Sequence, residues 1–168
     1  MNDGCAEELA GLLCACAQLR RTSRAVTQLY DLVLMPTGLK TTQFMALRAI
    51  GEAGEIAQCD FARGHAVAVE TLSRRFAALR RKGLVDVRIG ANHCERIYRL
   101  TEKGKQCLKD AFPYWNRAQA RLRNTLGEEQ WRILFELSDR ISAAAQEAGL
   151  LRTKNHHLPS SELPKVAA

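Results

Sequence analysis

Between residues 68 and 100 the hydrophobic period of this chain changes from helical to alternating, and that switch constrains the fold more than any other feature. Leu72, Phe76 and Leu79 stand at i, i+4 and i+7, the spacing of one buried helix face. The expected helix covers 68–82, and Gly83 stands where helices commonly end on glycine. Residues 84–89 then alternate and are rich in β-branched side chains, which reads as a strand. Gly90, Ala91 and Asn92 read as a turn, and 96–100 as the return strand. A helix running straight into a two-stranded hairpin leaves few architectures open.

The flanks are helical. Leu9, Leu12, Leu13, Cys16, Leu19, Val26, Leu29, Tyr30 and Val33 recur at helical spacing, so one long helix is expected over 6–34, ended by Pro36 and Gly38. Thr41 or Thr42 is expected to cap a second helix with Phe44, Leu47 and Ile50 inside, closed by Gly51 and Gly54. A short helix over 58–63 turns Phe61 and Ala62 inward. After the hairpin, Thr101 can cap a helix over 102–125, which Pro113 should bend or interrupt. A last helix over 128–147 carries Trp131, Leu134, Phe135, Leu137 and Ile141 on its apolar side. From residue 152 the chain is polar and aperiodic, which reads as a mobile tail.

Charge is uneven along this order. The formal net charge is +7, and residues 63–109 alone hold twelve Lys and Arg against four acidic residues. Such a concentration on one internal segment is an electrostatic footprint for a polyanion. The six cysteines, Cys5, Cys14, Cys16, Cys59, Cys94 and Cys107, include no Cys-x-x-Cys pair, so structural zinc is not expected. Free thiols, several of them half buried, are the plain expectation. No apolar run reaches the ~20 residues of a membrane span, and the start lacks the pattern of a signal peptide. A cytoplasmic protein with no membrane partner follows as the expectation.

Two helices joined by a short turn and followed by a hairpin make a winged helix-turn-helix. The expected fold class is mainly α: a winged helix-turn-helix with long terminal dimerisation helices. Residues 1–35 and 105–150 are assigned to dimerisation, 36–104 to DNA binding and 151–168 to a flexible tail. The face of the 68–82 helix opposite its apolar stripe holds Glu70, Thr71, Arg74, Ala77, Ala78 and Arg81, with Ser73 and Arg75 at the flank. Small residues at 77 and 78 permit close approach to a groove wide enough for one helix. Asn92, His93, Cys94, Glu95 and Arg96 cluster at the wing tip, where a basic side chain suits the minor groove or backbone. The expected DNA-contacting set is Glu70, Thr71, Ser73, Arg74, Arg75, Arg81, Asn92, His93 and Arg96.

The run Thr71, Leu72, Ser73, Arg74, then Leu79, then Lys82, Gly83, Leu84, Val85, and finally Leu100, Thr101, Glu102, Lys103, Gly104, resembles the MarR family of transcriptional regulators. The resemblance spans about residues 10–148 and includes Leu19, Arg20, Arg21 and 25–30 in the first helix. It implies a triangular homodimer in which first and last helices interlock, with two-fold symmetry suited to a palindromic operator in double-stranded DNA. Many family wings carry an Asp-x-Arg brace; by spacing, Asn92 and Cys94 stand in its place here. His65 stands where a buried Leu is usual and reads as a half-buried structural residue.

The family also implies a signal. Its members commonly release DNA on binding a small aromatic acid or on thiol oxidation. In the peroxide-sensing branch a reactive cysteine near the start of helix 1 corresponds to Cys16, and a tyrosine close to the sulfur corresponds to Tyr30. Two further tyrosines of that branch are Arg20 and Thr41 here. Cys14 and Cys16 point about 200° apart on a helix, so they form no mutual disulfide without unwinding the turn. Cys16, Cys14 and Tyr30 are therefore the candidate redox set, to be joined by another thiol. The expected function is a repressor released by a small ligand or by a hydroperoxide. The alternatives are a thiol-dependent peroxidase or reductase, and a DNA-binding protein with no inducer. No catalytic set, metal or cofactor is expected.

Overall fold

The computed structural model describes residues 14–64, 69–90 and 95–147. The expectations for 6–13, for His65, for Asn92, His93 and Cys94, and for the tail lie outside the described residues. Helix α1 (Ala15–Leu34) passes through a 3₁₀ turn (Met35–Thr37) into α2 (Thr41–Ala53). Then come β1 (Glu55–Ala57), α3 (Gln58–Gly64), α4 (Val69–Arg81), β2 (Val85–Ile89), β3 (Arg96–Leu100), α5 (Glu102–Leu126) and α6 (Glu128–Glu147). The helices and the β2–β3 hairpin fall where periodicity placed them.

The sheet has three strands in the order β1-β3-β2, both pairings antiparallel, rather than the two expected. Glu55, Ile56 and Ala57 pair with Arg99, Tyr98 and Ile97. Three residues are too few to show a period, so this strand exists through its ladder with β3 and not through its own pattern. The core lies under the sheet, between α2, α4 and the first half of α5: Phe44, Leu47, Ile50, Leu72, Phe76 and Leu79 are all at 0% exposure. Phe76 lies between Phe61, edge-on at 5.4 Å, and Tyr98, stacked at 4.0 Å.

The two sequence pieces that carried the family resemblance meet in space. Gly83 (φ 68°) lets its N–H bond the Arg80 carbonyl while the Leu84 N–H bonds that of Leu79, a glycine-dependent helix ending. The Thr101 hydroxyl donates to the Gly83 carbonyl at 2.7 Å and accepts from the Gly104 N–H at 2.9 Å, capping α5. The Lys103 ammonium donates to the Lys82 carbonyl. A Cβ on Gly104 would fall 2.0 Å from the Leu84 carbonyl oxygen, so no larger residue fits there. The spacing of these motifs is thus one junction joining α4, the β2–β3 hairpin and α5.

Two local expectations are corrected, and a third in part. Neither Thr41 nor Thr42 caps α2; Lys40 is the N-cap, its N–H donating to the Gln43 side chain at 3.1 Å, and Thr41 is the first helical residue, held from α1. The Asp31 carboxylate accepts from the Thr41 N–H and from the Thr41 hydroxyl, each at 2.7 Å, with Lys40 at 3.5 Å. Gly51 lies inside α2, under Leu100 and Leu108, and Gly54 alone ends it. Pro113 does not interrupt α5, which is continuous from Glu102 to Leu126. Proline there removes one backbone bond, but Phe112, Tyr114 and Trp115 on either side pack against the core and hold the helix together.

Asp31 gives a testable pH dependence. Burial would push its carboxyl up, but the two bonds from Thr41 and the Lys40 charge outweigh it, and the net shift is downward. A depressed folded value means the stabilisation is present above the ordinary carboxylate range and lost as pH falls through the folded value. Asp31→Ala should lower unfolding free energy at pH 7 by about 1–2 kcal/mol. Urea unfolding of both proteins should show the gap closing below about pH 4. A gap that is constant from neutral pH down to acid unfolding would refute the assignment.

Candidate nucleic-acid interface

Helix α4 is fixed by one face and open on the other. Leu72, Phe76 and Leu79 are buried, while Glu70, Thr71, Arg74, Ala77 and Arg81 are exposed and Ser73, Arg75 and Ala78 are half-buried. Arg74, Arg75 and Arg81 form no ion pair among the described residues, so their guanidinium groups are available to an outside anion. Arg96, exposed at the start of β3, is likewise without an ion pair among the described residues.

The other wing arginines are occupied. Arg88 forms a two-pronged pair with Glu55, at 2.6 and 3.2 Å, across the middle strand. Its bonds hold the Glu55 carboxyl below, and the Arg88 guanidinium above, their usual ranges. Arg99 faces Asp86 at 3.6 Å. The hairpin is closed by the Gly90 N–H on the Glu95 carbonyl at 2.7 Å. The sheet therefore has its own brace, Glu55 with Arg88, tying the wing to β1. Sequence reasoning did not find it, because these residues are 33 positions apart and β1 had no signal of its own.

Ser73 is not a free donor. Its hydroxyl donates to the Val69 carbonyl at 3.0 Å and accepts from the Gln58 amide at 2.7 Å. Gln58 itself was missed: it is the buried polar side chain of the described structure, at 6% exposure.

The candidate redox residues do not form a set within one chain. Cys14 and Cys16 are exposed at the start of α1, and Cys59 is exposed as well. Among the described cysteines only Cys107 is half-buried, and burial pushes its thiol up. Tyr30 is buried, donates to the Gln119 side chain and is raised by that burial. Fourteen residues along a helix are about 21 Å, so Tyr30 touches no Cys16 of its own chain.

A groove of about 600 Å³ lies between α2 and α5. Leu100, Leu108 and Phe112 line it, and Arg48, Lys105 and Lys109 stand around it with Glu52. Arg48 also sits over the Trp115 ring at 4.7 Å and pairs with Glu52. Among the described residues no His, Cys, Asp and Glu cluster could hold a metal ion, and no helix is long and apolar enough to cross a membrane.

No family model and no curated protein matches the chain. Solved structures do. The Mycobacterium tuberculosis transcriptional regulator MosR, in complex with DNA, is 33% identical over 80% of this chain and 98% of its own, with a TM-score of 0.73. MosR without DNA is 35% identical over 80% and 97%, at 0.70. A mutant of Escherichia coli MarR complexed with operator DNA shares the fold at a TM-score of 0.71, with 18% identity over 78% and 95%. The chain belongs to the MarR family of winged helix-turn-helix transcriptional regulators.

Proposed function

We propose that this chain binds double-stranded DNA as a homodimer at a palindromic operator and acts in the cytoplasm as a repressor, not as an enzyme. The observation that carries it is the open face of α4, where Arg74, Arg75 and Arg81 are unpaired among the described residues while the wing's Arg88 and Arg99 are neutralised at home. The DNA-bound MosR structure supports the same reading. Arg74 and Arg75 would reach base edges or phosphates, Thr71 and Arg81 phosphates, and Arg96 with Asn92 and His93 the groove beside the wing. Glu70, at the start of α4, would disfavour phosphate and accept from a cytosine amino group. Ser73 braces the helix instead.

Release has two candidate routes. The groove between α2 and α5, apolar inside, with Lys109 unpaired among the described residues beside Arg48 and Lys105, which pair with Glu52 and Glu102, suits a small aromatic acid. Exposed Cys16 suits a hydroperoxide: the thiolate would attack the O–O bond, giving a sulfenic acid and an alcohol, and a second thiol would condense with loss of water. Selecting duplexes from a random pool with the purified protein tests the main reading, and a palindrome should emerge. Binding to it by wild type and Cys16→Ser, before and after mild hydroperoxide, separates the routes. Loss in wild type alone assigns Cys16. An equal loss in both proteins removes Cys16 and leaves Cys94 and Cys59 as the next thiols to test, whereas loss to an aromatic acid in both proteins, without oxidant, assigns the groove. Recovery of no preferred sequence would refute the operator.

A further inference from the structure

We propose that Gln58 is a positioning residue that sets the orientation of α4 relative to the wing, and thereby sequence discrimination more than overall affinity. This rests on the DNA-binding reading above. Gln58 opens α3, yet its bonds go to two other elements. Its amide nitrogen donates to the Val69 carbonyl at 3.2 Å and to the Ser73 hydroxyl at 2.7 Å, both on α4. Its amide oxygen accepts from the Tyr98 hydroxyl on β3 at 3.3 Å. Both amide hydrogens and the carbonyl are therefore in use, and the Ser73 hydroxyl in turn donates to the Val69 carbonyl.

The direction of these bonds is what matters. Leu72, Phe76 and Leu79 hold α4 against the core, but apolar burial is non-directional and permits a helix to roll or slide. Hydrogen bonds weaken steeply with misalignment. Two of them at the first turn of α4, with a third running to the wing strand, resist both roll and tilt. The Tyr98 ring meanwhile stacks on Phe76, so the same tyrosine joins wing to recognition helix by packing and by its hydroxyl. Ser73 is the immediate neighbour of Arg74. A small roll of α4 would move the Arg74 guanidinium across the width of a base edge, whereas a phosphate, approachable from many directions, would still be met. Loss of the lock should then weaken the chosen sequence and spare the rest.

The test uses the full chain, the selected operator duplex and a scrambled duplex of the same length at one salt concentration. Gln58→Met keeps the volume and removes all three bonds; Tyr98→Phe keeps the ring stack and removes one. Operator affinity should fall about tenfold in Gln58→Met and about threefold in Tyr98→Phe, with scrambled duplex within about twofold of wild type. Adding Tyr98→Phe to Gln58→Met should cost nothing more, since the bond is already gone. Parallel losses on both duplexes, or unchanged operator binding, would overturn the proposal. If Gln58→Met does not fold, Tyr98→Phe decides on the same criterion. Wild type that fails to distinguish the duplexes overturns the DNA reading itself, a result visible before any variant is compared.

Discussion

A protein carrying Arg74→Ala, Arg75→Ala and Arg96→Ala should fold and assemble as wild type does, yet bind its operator more weakly by on the order of a thousandfold or more. None of the three side chains forms an ion pair among the described residues, so their removal leaves no acidic partner stranded. In a dimer each substitution is made twice, so six cations leave the interface. The logarithmic dependence of affinity on salt should flatten at the same time, by about one unit for each phosphate contact removed. Arg74→Ala alone should cost about 1–3 kcal/mol and relax specificity at one position, while Arg96→Ala should weaken all sequences alike. The control is the pair Arg88→Ala and Arg99→Ala. Those arginines already face Glu55 and Asp86, so their loss should act on the sheet first. Circular dichroism and titration of a labelled duplex at several salt concentrations measure all of this. A folded triple variant with wild-type affinity would place the interface elsewhere.

What the sequence revealed follows from how each feature is encoded. The α4 stripe, the Gly83 ending and the β2–β3 alternation are periodic or local, so they were legible, and the exposed face of α4 followed by subtraction. The Thr101 cap and Gly104 were legible as motif letters. Their reason, contact with the Gly83 and Leu84 backbone, is not local and needed the structure. β1 was invisible because three residues carry no period, and with it went the Glu55–Arg88 brace. The start of α2 was misread for the same reason: a threonine at a helix start looks like a cap, and nothing in the local sequence says that a carboxylate ten residues earlier accepts from both its N–H and its hydroxyl. Gln58 is the clearest case. A glutamine at the head of a short helix has no pattern to break, and only the convergence of α3, α4 and β3 makes it matter.

Disrupting the terminal helices should have the second large effect. In the described chain, residues 14–25 of α1 are exposed throughout, and on α6 Leu134, Phe135, Leu137 and Ile141 remain 39–51% exposed. Among the described side chains of α6 only Trp131, with Phe135 edge-on at 5.0 Å, is buried. Leu134, Leu137 and Ile141 lie at i, i+3 and i+7, one stripe along the helix. An apolar stripe left to water suits a partner surface, and the family resemblance makes a second copy of this chain the expected partner. Charge agrees: the first half of α1 carries Arg20, Arg21 and Arg24 with no acid, whereas α6 carries five acidic residues against two arginines. Burying the open half of each stripe residue is worth about 1 kcal/mol, and two-fold symmetry counts it twice. Leu134→Asp with Ile141→Asp removes that burial and puts unpaired carboxylates into it, so dimer dissociation should rise more than a thousandfold, on the order of 4 kcal/mol or more. Operator affinity should collapse with it, because two half-sites are then bound separately and the effective concentration of the second lobe is lost. Sedimentation at micromolar concentration should show wild type at twice the mass of the chain and the variant at one. Wild type that sediments as a monomer, or a monomeric variant that still binds the palindrome at full strength, would refute the two-fold interface.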